Sequence, residues 1–172
     1  MSNTTFDLEA LSAHLLSKLA PQPGHDRPKS SWSENERYDG RPKTRTIQVL
    51  LVQPGALPEL VTIANELPAM QGLIDGTITT FDTGGEGTIG VANDEALLCQ
   101  MPPNRFVPST NALIFGPLFI AGDGVNFHSL GPKELTEALA VFGPPLTSTQ
   151  VRRALRAHDE TLDRELNDAL DE

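Results

Sequence analysis

Apolar side chains recur along this chain in two periods, one of about three and a half residues and one of two. Phe6, Leu8, Leu11, Leu15, Leu16 and Leu19 fall at helical spacing, with Thr4 and Asp7 placed as a capping box, and predict a short amphipathic helix over residues 5–20. From Pro21 to Arg45 the period stops. Proline, glycine, serine and alternating charges leave Trp32 and Tyr38 as the large apolar groups, too little burial to offset chain ordering, so the segment reads as a linker. Ile47-Gln-Val-Leu-Leu-Val-Gln53 is then a β-branched run closed by Pro54-Gly55, the pattern of a buried strand and its turn.

Apolar positions 57, 60, 61, 63, 64 and 67 predict a helix over 57–73 that Pro68 ends or kinks, followed by a short helical turn over 70–74. Thr77-Ile-Thr-Thr-Phe81 alternates, as does Thr88-Ile-Gly-Val-Ala92, and Thr83-Gly-Gly-Glu-Gly87 between them predicts a β-hairpin. Asn93-Asp94 marks a turn, 96–99 reads as a further strand, and Pro102-Pro103 closes it. Residues 112–121 form a long apolar strand broken by Gly116-Pro117, which implies an edge position or a bulge. A helix over 133–142 stops at Gly143-Pro144-Pro145. Thr147 and Gln150 make a second capping box, opening a helix to about Leu170 with a narrow stripe of Val151, Leu155, His158, Leu162, Leu166 and Leu170. Such a stripe suits a helix docked on the domain or paired with a second copy, making Leu155, Leu162 and Leu166 candidate partner-binding residues.

Together these elements predict an α+β fold: a small, mainly antiparallel sheet of four to five strands with two packing helices, plus flanking N- and C-terminal helices. The expected organisation is a helix and linker over 1–45, a core domain over 46–146, and a C-terminal helix over 147–172. A chain of 172 residues suits one core with tails.

Charge narrows the function classes. The net charge is −10 and the isoelectric point about 4.8. Between Thr46 and Ser148 ten acidic residues face two basic ones, Arg105 and Lys133. Neutralising phosphates takes a basic face, so direct nucleic-acid binding is not expected. The first 45 residues differ, with seven Lys/Arg against six Asp/Glu. Trp32 within that polar stretch is a candidate anchor for a protein partner, or a ring that folds back over the domain. No apolar run approaches 18 residues and no basic-then-apolar leader opens the chain; no membrane association and a cytoplasmic location are therefore expected. Cys99 stands alone, which excludes an intramolecular disulfide and a cysteine metal cluster and suggests a small buried residue.

Catalytic signatures are lacking. Gly85-Glu-Gly87-Thr-Ile-Gly90 spells a dinucleotide fingerprint, but it precedes a β-branched segment instead of a helix and places Glu86 where phosphate would sit, so it reads as a hairpin turn. Histidines at 14, 25, 128 and 158 show no zinc spacing. No metal, no cofactor and no catalytic residues are expected. Two pairs remain as candidate ligand-binding residues. Asp123 and His128 flank a glycine turn, which an ordinary surface turn also explains. Asn104 and Arg105 follow the stiff Pro102-Pro103 step, where the arginine is placed either to grip an anionic group or to pair with a nearby carboxylate and pin the loop.

Several of these segments carry a family likeness. Ile47 to Gly55, Leu-Ile-Asp-Gly76, Asn93-Asp-Glu95, Met101-Pro-Pro-Asn-Arg105, Ile114-Phe-Gly116-Pro-Leu-Phe-Ile120-Ala-Gly122 and Phe127-His-Ser-Leu130 resemble the family of unknown function DUF3846, over about residues 46–145. Pro117 and the glycines at 84–87 depart from the family pattern. The resemblance implies a small α+β domain in a phage, plasmid or integrative element, hence the host cytoplasm for a phage protein. It implies no mechanism. The leading expectation is a non-enzymatic acidic module that binds a host or element-encoded protein, with a possible homodimer through the C-terminal helix. The alternatives are a protein that binds a nucleotide-like anion at the Pro-Pro-Asn-Arg loop, and an acidic DNA mimic, which needs carboxylates aligned on one face.

Overall fold

Strand β1 (Thr46–Val52) is buried at every position except Thr46 and Gln48, as its β-branched run predicts. The computed structural model describes residues 7–19, 45–153 and 155–156, with helix α1 (Leu8–Lys18) preceding β1. After the Pro54-Gly55 turn the chain does not become helical. It returns as strand β2 (Glu59–Ala64), antiparallel to β1 from Thr46↔Ala64 to Leu51↔Glu59. The apolar positions over 57–67 fit a helix, but Leu60-Val61-Thr62-Ile63 is also β-favouring, and pairing with β1 decides between them. Pro68 starts a helix here: α2 (Leu67–Ile74) carries it in the first turn, where its missing N–H costs nothing.

The predicted hairpin is present as β3 (Ile78–Asp82) and β4 (Thr88–Asn93). Next come β5 (Pro103–Val107) and β6 (Ala112–Phe115), a separate two-stranded hairpin, then β7 (Leu118–Gly122) and α3 (Pro132–Phe142). The main sheet has the order β2-β1-β7-β4-β3 with every pairing antiparallel. The expected single apolar strand over 112–121 is thus two strands in two sheets. Gly116 (φ 70°) and Pro117 form the corner between them, and β7 lies at the centre of the sheet with all five residues buried, not at an edge. Glycine is required at 116 both by its left-handed φ and because an added Cβ would lie 2.5 Å from Met101 Sδ.

Strand alternation divides the core into two layers. Leu50, Val52, Leu118 and Ile120 face α3 residues Leu135, Leu139 and Phe142. Ile47, Val49, Phe119 and Ala121 face Met70 and Ile74 of α2. Helix α1, which composition sets apart from the rest, places Leu15 in the α3 layer, and Leu8, Leu11 and Leu16 pack around it. Its N-cap is Asp7, whose Oδ1 accepts from Ala10 N at 3.0 Å. Thr4, the expected cap, lies outside the described residues, as do the 21–44 linker with Trp32 and the C-terminal helix beyond residue 156. That helix opens as expected. Thr147 N donates to Gln150 Oε1 at 2.8 Å, and Gln150 N donates to Thr147 Oγ1 at 3.3 Å.

Candidate functional site

Residues 104 and 105 are consecutive, yet both point inward, because the β5–β6 register slips: Pro103 pairs with Phe115 and Arg105 with Ile114. This bulge turns Asn104 to the same side as Arg105, and the two are 0% and 1% exposed. Asn104 Nδ2 donates to Val52 O at 2.8 Å and Gly116 O at 2.7 Å, tying the end of β1 to the Gly116 corner. Its Oδ1 accepts from Arg105 Nη1 at 2.9 Å, a network that orients the amide. Arg105 Nη1 also donates to Asn104 O at 3.0 Å, Nη2 to Ala56 O at 2.7 Å, and Nε to Phe142 O at 2.9 Å.

One guanidinium therefore joins β5, the β1–β2 loop and the end of α3. No carboxylate takes part. The ion pairs among the described residues are those of Lys133 with Glu86 and Glu137. Burial pushes the Arg105 guanidinium well below its usual range, to about 10, which leaves it protonated at neutral pH. Its compensation comes from oriented carbonyls. Phe142 O belongs to the last turn of α3, the negative end of the helix dipole, and that turn contains no basic residue of its own. Of the two roles anticipated for Arg105, the carboxylate partner is absent among the described residues, and the loop is pinned by main-chain oxygens instead.

Asp123 and His128 lie elsewhere. Gly122 and His128 exchange both main-chain hydrogen bonds, at 2.9 and 3.1 Å. The His128 ring lies against the Gly122 backbone, with Nε2 3.0 Å from Asp123 O and Nδ1 3.0 Å from Ser129 O. The ring thus meets the main chain of Asp123 and not its carboxylate. Strand β7 separates this turn from the Asn104–Arg105 pair, and at the usual rise its four steps span about 13 Å. The four candidate ligand residues form two pairs at opposite ends of the sheet. Among candidate partner-binding residues, Leu155 is exposed, whereas Trp32, Leu162 and Leu166 lie outside the described residues.

The glycine-rich stretch is a hairpin turn in which the N–H groups of Gly84 and Gly85 are satisfied internally. Gly84 N donates to Asp82 Oδ1 at 2.8 Å and Gly85 N to Thr83 Oγ1 at 3.2 Å. Gly90 is needed for packing, since an added Cβ would strike the Phe81 ring. Among the described residues no group of three or more His, Cys, Asp or Glu could hold a metal ion, and no helix is long and apolar enough to cross a membrane.

Residues 96–99, expected as a strand, form one capped helical turn. Asn93 Oδ1 accepts from Glu95 N at 2.8 Å, an N-cap. At the other end Met101 N donates to Ala96 O and Gln100 N to Leu97 O, with Gln100 at φ 55°, the geometry of a Schellman cap. Ala96 is buried, and the turn exposes Leu97, Leu98 and Cys99; Cys99 is not the buried residue expected. Asn93 before Asp94-Glu95 is a helix-start signal and the clue in the residues themselves.

No curated protein and no solved structure matches the chain. The family model described as a domain of unknown function, DUF3846, matches residues 47–143, which is more than half of the chain and runs from β1 to the end of α3; this protein belongs to that family.

Proposed function

We propose that this chain is a non-enzymatic interaction module of a phage or other mobile element, acting in the cytoplasm on a host or element-encoded protein. The observation that carries the reading is how Arg105 is used. The buried arginine, the strongest candidate for gripping an anionic ligand, donates to Phe142 O, Ala56 O and both oxygens of Asn104. Its fork has one N–H left over, too few for a bidentate hold on phosphate or carboxylate. The surface is left to recognise a partner. It is acidic and exposes Leu57, Leu67, Leu97 and Leu98.

Affinity capture with the full chain, and with a chain lacking residues 1–45, tests this against a same-size acidic control protein. A specific, saturable protein partner is expected. A thermal-shift screen of nucleotides and inorganic phosphate is the opposing measurement. A ligand present at a hundredfold its Kd adds about 2.7 kcal/mol of stability, and a shift of that size would favour the anion-binding alternative over this one. Pairing of two copies through the helix opening at Ser148 belongs to the same proposal, supported by exposed Leu155 on its stripe.

A further inference from the structure

We propose that the 94–100 turn is the docking epitope of this module, and that its occupant is a protein surface offering an apolar pocket rimmed by lysine or arginine; this deepens the interaction-module reading and rests on it. Leu98 is 83% exposed and Leu97 47%. They do not sit on a loose loop. The Asn93 cap and the Schellman cap hold the turn from both ends. Asn93 also anchors it to the body of the protein, through Nδ2 to Asp75 O at 2.8 Å, and Asp94 N donates to Thr77 O at 2.8 Å. A leucine on such a turn loses little backbone freedom on binding, the property of an anchor residue.

Charge selects the occupant. Asp94 and Glu95 are exposed in the same turn, and exposed Asp75 lies beside it. Val52, Leu118 and Ala92 stand in one row across the sheet. The β1–β2 loop therefore leaves the sheet level with the turn, two strands away, at about 10 Å. It adds exposed Leu57, and Glu59 is exposed just after it. Within 47–143 neither cation forms an ion pair with these carboxylates: Arg105 is buried and spends its donors on carbonyls, and Lys133 pairs with Glu86 of the hairpin turn at the far end of β4. Exposed leucines that share one end of the sheet with four exposed carboxylates call for an apolar pocket with a basic rim. A second copy of a chain of charge −10, a nucleic acid or an anionic membrane would meet like charge at this end.

The test places a photo-crosslinking benzoylphenylalanine at position 98, 125 or 32 of the full chain, irradiated in the cells that naturally make it. Position 125 is a fully exposed apolar control in the loop after β7. The expected result is an adduct at 98, absent at 125, to one protein whose crosslinked segment is apolar with lysine or arginine alongside. With that protein purified, Leu98→Asp should weaken binding on the order of thirtyfold. Paired Asp94→Asn and Glu95→Gln changes should weaken it severalfold and reduce its salt sensitivity. A thermal midpoint unchanged by Leu98→Asp verifies that the fold is intact. An adduct at 98 to a second copy, adducts at 32 or 125 but not 98, or a crosslinked segment without basic residues would overturn the epitope and leave the interaction-module reading standing. No adduct at any of the three positions would overturn both.

Discussion

Replacing Arg105 by methionine preserves much of the side-chain volume and removes the donors that join three parts of the fold. Four acceptors lose their partner: Phe142 O, Ala56 O, Asn104 O and Asn104 Oδ1. Phe142 and Asn104 are fully buried, and a buried acceptor stranded without a donor costs about 1–3 kcal/mol. Ala56 is exposed and water replaces its bond. Against this stands relief of desolvation, since burial lowers the guanidinium to about 10, a bias against the buried charge on the order of 3 kcal/mol. With each of the three stranded acceptors at the middle of that range, their cost of about 6 kcal/mol outweighs the relief and leaves a net loss of about 2–4 kcal/mol, in keeping with the cost of breaking a buried polar network from one side. For a domain of about 100 residues this lowers the thermal midpoint by about 10–20 °C. Urea and thermal denaturation of Arg105→Met, followed by circular dichroism, measure it. Arg105→Lys should recover less than half, because an ammonium cannot span the three segments in fork geometry. A loss below about 1 kcal/mol for Arg105→Met, or full recovery by lysine, would refute the assignment of Arg105 as the tie between β5, the β1–β2 loop and α3.

Further predictions concern pH, the sheet corner and assembly. Because burial lowers the folded-state value of Arg105 to about 10, below its unfolded value, the unfolded chain binds more protons only between the two, so its contribution favours folding as pH rises through that window and is flat below it. The stability gap between the wild type and Arg105→Met should therefore agree within about 0.5 kcal/mol between pH 5 and 9 in urea titrations. Gly116→Ala, at φ 70° and against Met101 Sδ, should cost about 1–3 kcal/mol by thermal denaturation, part of it recovered by the further change Met101→Ala. Sedimentation at micromolar concentration should give twice the 18.6 kDa chain mass, and a chain ending at residue 146 should give a single-copy mass.

The residues were most readable where period and turn chemistry agree within one short segment. The β-branched run of β1, the glycine turn between β3 and β4, and α3 up to Gly143-Pro144-Pro145 are of this kind. So is the family likeness, expected over about 46–145 and matched over 47–143. Local pattern misleads where two local structures compete closely. Residues 59–64 fit helix and strand alike, and 96–99 form a short apolar stretch whose caps lie in the flanking residues.

By itself, then, the sequence determined the α+β class, the family, the acidic character and the absence of known catalytic motifs, because each follows from composition or local spacing. Tertiary structure alone decided that β2 pairs with β1, that Gly116-Pro117 passes the chain from one sheet to the centre of another, and that Leu98 stands in solvent. It also decided the fate of Arg105. No spacing rule announces that a bulge will turn this side chain inward, or that its partners will be carbonyls more than thirty residues away in either direction at Ala56 and Phe142. Those contacts depend on long-range pairing, whose energy appears only when distant segments meet.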